Sequence, residues 1–117
     1  MILKLLLIGL FFISGCMTPR QRMDSFVAKY QDEPIKVIYT WTMYPTNPYA
    51  KDGVVYIDQN KLQSMKHYEA MILKHEACHV MGLGHCEKKR CLMYWSFNVW
   101  LINFGDKKLC NECESLL

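Results

Sequence analysis

This 117-residue chain is constrained most by one histidine-rich segment, which reads HEACHVMGLGH. His75 and His79 stand four residues apart in it, with Glu76 beside the first. Side chains at that spacing lie on one face of a helix, so both imidazoles can reach a single ion. Gly82 allows the chain to end the helix and turn back, which would bring His85 to the same ion. The segment therefore predicts a metal centre at the end of a helix.

Three histidine ligands predict a catalytic zinc rather than a purely structural one. A structural zinc is closed by a fourth side chain, whereas a catalytic zinc keeps one position open for water. Zinc lowers the pKa of that water to roughly 7, and Glu76 lies where it could take the proton. The alternatives are a buried histidine cluster without metal and a zinc domain without catalysis. We expect a zinc hydrolase.

The first fifteen residues read as a targeting segment. Lys4 precedes an apolar run from Leu5 to Ile13. A transmembrane helix requires roughly 20 apolar residues, and this run is far shorter. The alternatives are a plain secretory signal cut near Gly15 and a signal anchor. Residues 1–15 are therefore predicted to be a signal peptide.

The end of that segment resembles the lipobox of bacterial lipoproteins, since it reads Ile-Ser-Gly-Cys up to Cys16. In such proteins cleavage falls before the cysteine, which is then acylated. The resemblance implies a lipoprotein whose mature domain, residues 16–117, is held by lipid at a membrane of the bacterial cell envelope. Several acyl chains would hold it firmly, because one chain alone binds a membrane only marginally.

A helix is predicted to begin at Pro19. Thr18 supplies a capping hydroxyl, and Gln21 stands three residues after it, which is the spacing of a capping box. Pro34 closes the helical pattern. Apolar side chains at helical spacing predict one buried face, formed by Met23, Phe26, Val27 and Tyr30.

Two strands are predicted to follow this helix. Residues from Ile35 to Tyr44 alternate with period two, Pro45 to Gly53 are rich in turn residues, and Val54 to Asp58 form a second strand. The stretch between the strands is predicted to be a loop. The buried face of the first strand is predicted to consist of Ile35, Val37, Tyr39, Trp41 and Met43.

A long helix is predicted to begin within residues 60–64 and to carry the first two histidines. Several apolar side chains fall on the same side of it as His75 and His79, namely Met65, Tyr68 and Ile72. The metal would therefore face the core. These elements predict an α+β domain, with a small mixed sheet packed on the metal-binding helix.

Four cysteines and a methionine follow the histidine segment at defined spacings. Cys86 and Cys91 enclose four residues, Met93 comes two residues later, and Cys110 and Cys113 form a Cys-x-x-Cys pair. The extended histidine motif followed by Met93 resembles the metzincin metalloproteases, whose methionine-containing turn lies beneath the catalytic zinc. The cysteine pattern is similar to that of the archaemetzincins in particular, apart from a one-residue difference in the last spacing.

The resemblance implies a peptidase with two zinc ions. Glu76 becomes the general base, and Met93 becomes the turn methionine. The catalytic zinc would be held by His75, His79 and His85. A second, structural zinc would be held by Cys86, Cys91, Cys110 and Cys113.

The resemblance also implies where substrate lies. In these families the strand before the zinc helix commonly forms a sheet edge that pairs with extended substrate. The region before the helix is shorter here than is usual, so we expect a minimal metzincin-like domain whose C-terminal segment is stapled by the cysteine cluster. The residues at the position of the edge strand are Val54, Val55, Tyr56 and Ile57.

The four cysteines also admit two disulfides. A protein outside the cytoplasm meets oxidising conditions, which favour disulfides, whereas the Cys-x-x-Cys pair favours metal. The sequence leaves both open. Cys78, one residue before a histidine ligand, is expected to be a small buried apolar side chain.

We therefore predict a zinc-dependent peptidase, lipid-anchored at the cell envelope, that acts on peptide or protein substrates. The alternative is a non-catalytic zinc-binding envelope lipoprotein that serves as a binding module. Removal of Lys4 with the signal peptide leaves 13 basic and 11 acidic residues, a net charge of +2. That charge indicates no nucleic-acid partner.

Overall fold

A computed structural model describes residues 16–96 and 107–117. The predicted signal peptide, residues 1–15, lies outside the described residues. Among the described helices, none is long and apolar enough to cross a membrane. In chain order the elements are α1 (Pro19–Ala28), β1 (Lys36–Thr40), β2 (Tyr49–Lys51), β3 (Val54–Asp58), α2 (Gln59–Leu62), a 3-10 helix (Gln63–Tyr68), α3 (Glu69–Val80) and α4 (Asn111–Glu114).

The first helix begins as predicted. The Thr18 hydroxyl accepts a hydrogen bond from the Gln21 backbone N–H at 3.1 Å, and the Gln21 side chain accepts one from the Thr18 N–H at 2.9 Å. Met23 and Val27 are buried, while Phe26 packs against the core from a half-buried position. Through this face α1 packs against α3.

The sheet is small and mixed, as predicted, but it has a third strand. Its order is β1-β3-β2, with β1 parallel and β2 antiparallel to β3. β2 lies within the stretch predicted to be a loop. Asp52 and Gly53, with φ of 52° and 78°, form the two-residue turn that joins β2 to β3. A turn of this kind needs positive φ at both positions, which Asp-Gly accommodates, so the local signal for the hairpin was present.

The prediction that Val54 to Ile57 form a sheet edge was wrong. β3 is the central strand, and Val54 pairs with Lys36 on one side and with Lys51 on the other. The backbone groups of Val54 to Tyr56 are engaged by both neighbours, because the Asp-Gly turn lays β2 along the side that would otherwise be free. From Val54 to Tyr56 this strand therefore offers no free edge to a peptide.

The first strand is shorter than predicted, and its buried face was only partly right. Ile35 is buried and Val37 is half-buried, but Trp41 is 61% exposed and Met43 is 87% exposed. The chain leaves the sheet after Thr40, so the alternation of residue types beyond that point does not correspond to two faces of a strand.

The predicted long helix is divided into three shorter helices, the last of which carries His75 and His79. Met65 has φ of −130° and ψ of 22°, which are not helical values, and it separates the 3-10 helix into two turns. α3 is regular from Glu69 to Val80 and packs against β2, β3 and α1. The core combines one face of the sheet with the buried faces of these helices, its largest fully buried side chains including Met23, Ile57, Ile72, Leu73 and Leu92.

Candidate metal centres

The three histidines of the motif converge on one point. Their ligand nitrogens all lie within 4.8 Å of one another, and Nε2 of His79 is 3.2 Å from Nε2 of His85. A tetrahedral zinc with bonds of 2.0–2.1 Å places two nitrogen ligands about 3.3 Å apart. His75 is buried in the core, whereas His85 is exposed, so the cluster opens to solvent on one side.

Backbone carbonyls fix the tautomers of the two helical histidines. Nδ1 of His75 lies 2.7 Å from the Leu92 carbonyl oxygen, and Nδ1 of His79 lies 2.7 Å from that of Leu83. A carbonyl oxygen only accepts, so Nδ1 donates in both rings and Nε2 presents its lone pair. Burial lowers the pKa of His75 to about 4, which keeps the ring neutral at physiological pH. Both rings are therefore ready to bind a metal.

Gly82 ends α3 in the manner predicted. Its N–H donates to the His79 carbonyl at 3.1 Å, and the Leu83 N–H donates to the Cys78 carbonyl at 2.9 Å. These two bonds define a Schellman motif, which places a residue of positive φ after the helix. Gly82 has φ of 104°. The same turn brings the Leu83 carbonyl to Nδ1 of His79, so the helix end also orients a ligand.

Glu76 is a buried carboxylate at the edge of this cluster. It is 3% exposed, and its Oε1 lies 3.9 Å from Nε2 of His75. Its Oε2 has no hydrogen-bond partner among the described residues. Burial raises the pKa of Glu76 to about 8 in the metal-free protein, and a nearby cation would oppose that shift by favouring the ionised form. A buried oxygen without a partner fits a carboxylate that serves a metal site.

A cleft of about 440 Å³ lies over the histidines. His75, Glu76 and His85 line it, while the other walls come from residues that the motif does not indicate. Lys61 and Met65 stand four residues apart before α3, a helical spacing that could have pointed to them. None of Val54 to Ile57 is among the described lining residues. The additional walls are formed by Asn47, Pro48, Lys61, Met65, Trp95 and Ser96.

The four predicted cysteine ligands form a second cluster, within which all sulfur atoms lie within 4.8 Å of one another. Sγ of Cys86 is 3.8 Å from that of Cys110, and Sγ of Cys91 is 3.8 Å from that of Cys113. A tetrahedral zinc with 2.3 Å bonds places two thiolates about 3.8 Å apart, whereas a disulfide needs about 2.05 Å. The thiols are free, so the arrangement is that of a Cys₄ zinc site and not of two disulfides.

Backbone amides point at the sulfurs of this second cluster. The N–H groups of Met93 and Cys110 both donate to Sγ of Cys91 at 3.4 Å, and the Lys88 N–H donates to Sγ of Cys86 at 3.5 Å. Such bonds favour the thiolate that a metal requires, but at Cys91 burial outweighs them and raises the pKa of the thiol. A backbone hydrogen bond from Cys113 is the main cause that lowers the pKa of Cys110 to about 7. Two sets of side chains thus fit zinc. The three histidines leave a fourth position free beside Glu76, and the four cysteines provide all four ligands.

The remaining predicted residues fall in different places. Met93 is fully buried, directly after the carbonyl that holds His75. Cys78 is fully buried, as predicted, and burial raises the pKa of its thiol to about 12. Cys16 is exposed and lies outside any helix or strand, two residues before the cap of α1.

One buried polar residue was missed by the sequence analysis. Asp58 is 3% exposed and accepts hydrogen bonds from the Asn60 N–H at 3.0 Å, from the Thr46 N–H at 2.9 Å and from the Thr42 hydroxyl. These bonds, led by that of Thr42, lower the pKa of its carboxyl. Asp58 therefore joins the segment before β2 to the start of α2. The sequence signal was a cap residue, Asp, two residues before Asn60.

Comparisons with known proteins point to one group. No protein-family profile matches the chain. The archaemetzincin of Methanocaldococcus jannaschii is 44% identical over 39 residues, which are 33% of this chain and 22% of that protein. The archaemetzincin of Nanoarchaeum equitans is 28% identical over 97 residues, which are 78% of this chain and 56% of that protein.

A solved structure shows the same fold. The crystal structure of archaemetzincin from Methanopyrus kandleri superposes with a TM-score of 0.54 at 17% identity, and the match covers 83% of this chain and 62% of that one. In each of these comparisons the match covers less than two thirds of the relative's length. Sequence and fold together make this chain archaemetzincin-like.

Proposed function

We propose that this protein is a zinc-dependent peptidase whose zinc is held by His75, His79 and His85. The observation that carries the proposal is Glu76, a buried carboxylate whose Oε2 has no hydrogen-bond partner among the described residues, at the wall of a cleft that His75 and His85 also line. A metal site that served only the fold would have no use for such a group, since an unpaired buried oxygen is costly. The likeness to archaemetzincins supports the same conclusion.

The chain's own residues supply positioning and proton transfer. Bound zinc would polarise the scissile carbonyl and lower the pKa of a water. Glu76 would take the proton from the attacking water and pass it to the leaving amine. The carbonyls of Leu92 and Leu83 hold the imidazoles of His75 and His79 in place while this happens, so no ligand has to reorient.

The Cys₄ cluster would hold a second, structural zinc that closes the C-terminal segment onto the active-site loop. Cys86 directly follows His85, and the Cys86 N–H donates to the Met93 carbonyl at 2.8 Å. Met93 would be the turn methionine of the site, since it directly follows the Leu92 carbonyl that holds His75. A domain this small gains folding free energy from such a metal.

The substrate would be a peptide or protein laid along the cleft. Asn47 and Pro48, which line it, immediately precede β2. On the side away from β3, β2 pairs with no other described strand, so its backbone groups can accept an extended chain. The edge that recognises substrate would then be β2 and not β3.

We also propose that lipid on Cys16 holds the protein at a membrane of the bacterial cell envelope. Support comes from the lipobox-like sequence before Cys16 and from the exposure of this residue outside any element. Mass spectrometry of the membrane fraction should find acyl chains on Cys16. Cys16→Ser should remain unprocessed and unacylated, and an acylated or normally cleaved variant would contradict the proposal.

Glu76→Gln tests the catalytic assignment. The variant should bind zinc as the parent does but lose peptide cleavage, because the amide cannot take a proton. Glu69→Gln is the matched control, since Glu69 lies on the same helix outside the described lining of the cleft, where it accepts from the Tyr39 hydroxyl at 3.3 Å. Cleavage by Glu76→Gln at the parental rate would remove Glu76 as the base. Zinc-loaded parent that cleaves nothing in a broad peptide panel would favour the binding module.

A further inference from the structure

The cleft contains a cation that the proposed mechanism does not use. Among the described lining residues, Lys61 is the one lysine or arginine. It is half-buried and forms no ion pair within the part of the chain that the structure describes. Glu76, the one carboxylate of the same walls, is buried against the histidines. An incoming chain therefore meets a charge that no described side chain neutralises.

The backbone around Lys61 is held rigidly. Asp58 caps α2 by accepting from the Asn60 N–H at 3.0 Å, and the Asn60 side-chain amide donates to the Thr42 carbonyl at 2.6 Å. The Lys61 carbonyl accepts from the Ser64 hydroxyl at 2.8 Å. The stem of Lys61 thus starts from a fixed point, which reduces the entropy lost when its ammonium group binds a ligand.

Two apolar side chains share this cleft with Lys61. Met65 stands four residues further along the chain, and Trp95 contributes from the segment between Cys91 and Cys110. Because Lys61 is half-buried, an ion pair formed there is stronger than one on an open surface. A bound zinc adds positive charge to the same cleft and favours anionic ligands further.

We propose that Lys61 is a specificity-determining residue that binds a carboxylate of the substrate. The carboxylate is either the C-terminus of a peptide or the side chain of an aspartate or glutamate next to the scissile bond. This inference rests on the proposed function, because it takes the ligand of the cleft to be a peptide substrate. It makes peptides with a carboxylate near the scissile bond the preferred substrate class, since the ammonium group of lysine offers a carboxylate up to three donors and a full charge.

Matched zinc-binding probes test this without requiring turnover. Dipeptide hydroxamates anchor at the metal, and aspartate and asparagine differ in charge but hardly in shape. If the carboxylate is a side chain, calorimetric titration of the zinc-loaded protein should show that one of the aspartate-containing hydroxamates binds about tenfold more tightly than its asparagine counterpart. If it is the peptide C-terminus, a further pair, with a free carboxyl or an amide at that position, should show the same difference instead.

Three variants assign the preference to Lys61. Lys61→Met should abolish it while changing the affinity of the asparagine probe less than twofold. Lys61→Arg should restore most of it, because the charge is kept. Lys66→Met is the control, since Lys66 is exposed on the 3-10 helix and is not among the described lining residues, and it should leave the preference intact.

The outcomes separate this inference from the proposed function. Equal binding of the two members in both probe pairs by the parent, a preference that survives Lys61→Met, or no binding to zinc-loaded protein would overturn the role of Lys61. Probe preference without cleavage of any peptide would retain Lys61 and reject catalysis. Cleavage of peptides without any preference for a carboxylate, in a side chain or at the C-terminus, would reject Lys61 and retain catalysis. If Lys61 acted on the transition state, Lys61→Met would slow cleavage of acidic and neutral peptides equally, which would also contradict the proposal.

Discussion

The ring nitrogen Nδ1 of His75 lies 2.7 Å from the carbonyl oxygen of Leu92, the residue between Cys91 and Met93. The first histidine ligand is thus oriented by the backbone of the cysteine cluster. The Leu92 N–H in turn donates to the Lys108 carbonyl at 2.9 Å, which ties this backbone to the C-terminal segment. The two metal sites are therefore structurally coupled, because the backbone of the Cys₄ cluster positions the carbonyl that orients His75 in the histidine cluster.

Loss of one thiol should weaken both metal sites. Cys113→Ala removes a ligand from the Cys₄ cluster and loosens the Leu92 carbonyl that orients His75. We expect the variant to lose the structural zinc and to bind zinc at the histidines about 10- to 100-fold more weakly, the usual effect of removing an outer-shell partner. Zinc stoichiometry and competition with a chelator measure both. Cys78→Ala, outside the cluster, should keep two zinc ions per chain, and parental histidine-site affinity in Cys113→Ala would contradict the coupling.

Substitution of Gly82 should cost stability through its backbone conformation alone. A Cβ built on Gly82 meets no atom within 4 Å, but φ is 104°. We expect Gly82→Ala to lower the free energy of unfolding by about 1–2 kcal/mol in a denaturant titration. Gly84→Ala is the matched control, since its Cβ also meets nothing within 4 Å and its φ lies outside the left-handed region. Equal losses in the two variants would show that φ is not the cause.

The metal-free protein should lose stability in mild acid because of His75. Burial lowers the pKa of this ring to about 4 in the folded state from an ordinary 6.5. Between these values the unfolded chain binds a proton that the folded chain does not, so stability falls as pH drops from 6.5 towards 4. The shift corresponds to about 3 kcal/mol. Burial lowers the pKa of His79 as well, which acts in the same direction.

Denaturant titrations at a series of pH values measure this effect, and a Glu76→Gln background isolates it. Glu76 titrates in the opposite sense, because its folded pKa of about 8 lies above the ordinary value. His75→Gln in that background should flatten the dependence of stability on pH. A metal-free protein whose stability does not change between pH 6.5 and 4 would refute the prediction.

Asp58 should contribute both to the start of α2 and to the loop before β2. In Asp58→Asn the side chain can still cap the helix through its oxygen, but the second oxygen that accepts from the Thr46 N–H is lost. We expect a loss of about 1–3 kcal/mol in the free energy of unfolding. Asp58→Ala should lose about 1 kcal/mol more, since the cap is removed as well. Thermal or denaturant unfolding should show that stability decreases from the parent to Asp58→Asn and further to Asp58→Ala. An Asp58→Asn variant as stable as the parent would refute the prediction.

The sequence by itself determined what depends on short spacings along the chain. The capping box of α1, the two histidines on one face of α3, and the turn at Gly82 were all predicted. Each is set by residues a few positions apart, where helical periodicity and backbone preference dominate. The three histidine ligands were predicted for the same reason, whereas the set of four cysteine ligands was predicted from the resemblance to the archaemetzincins.

Only the tertiary structure decided what depends on distant segments meeting. The hairpin turn at Asp52 has a local signal, yet only pairing shows that it places β3 in the centre of the sheet and leaves β2 at the edge. Trp41 alternates correctly for a strand but stands in solvent, because the chain turns away where Asp58 binds the Thr42 hydroxyl. Lys61 lines the cleft over the histidines because Asp58 also fixes the start of α2, the helix that carries Lys61. Such contacts are set by long-range packing, which periodicity along the chain does not encode.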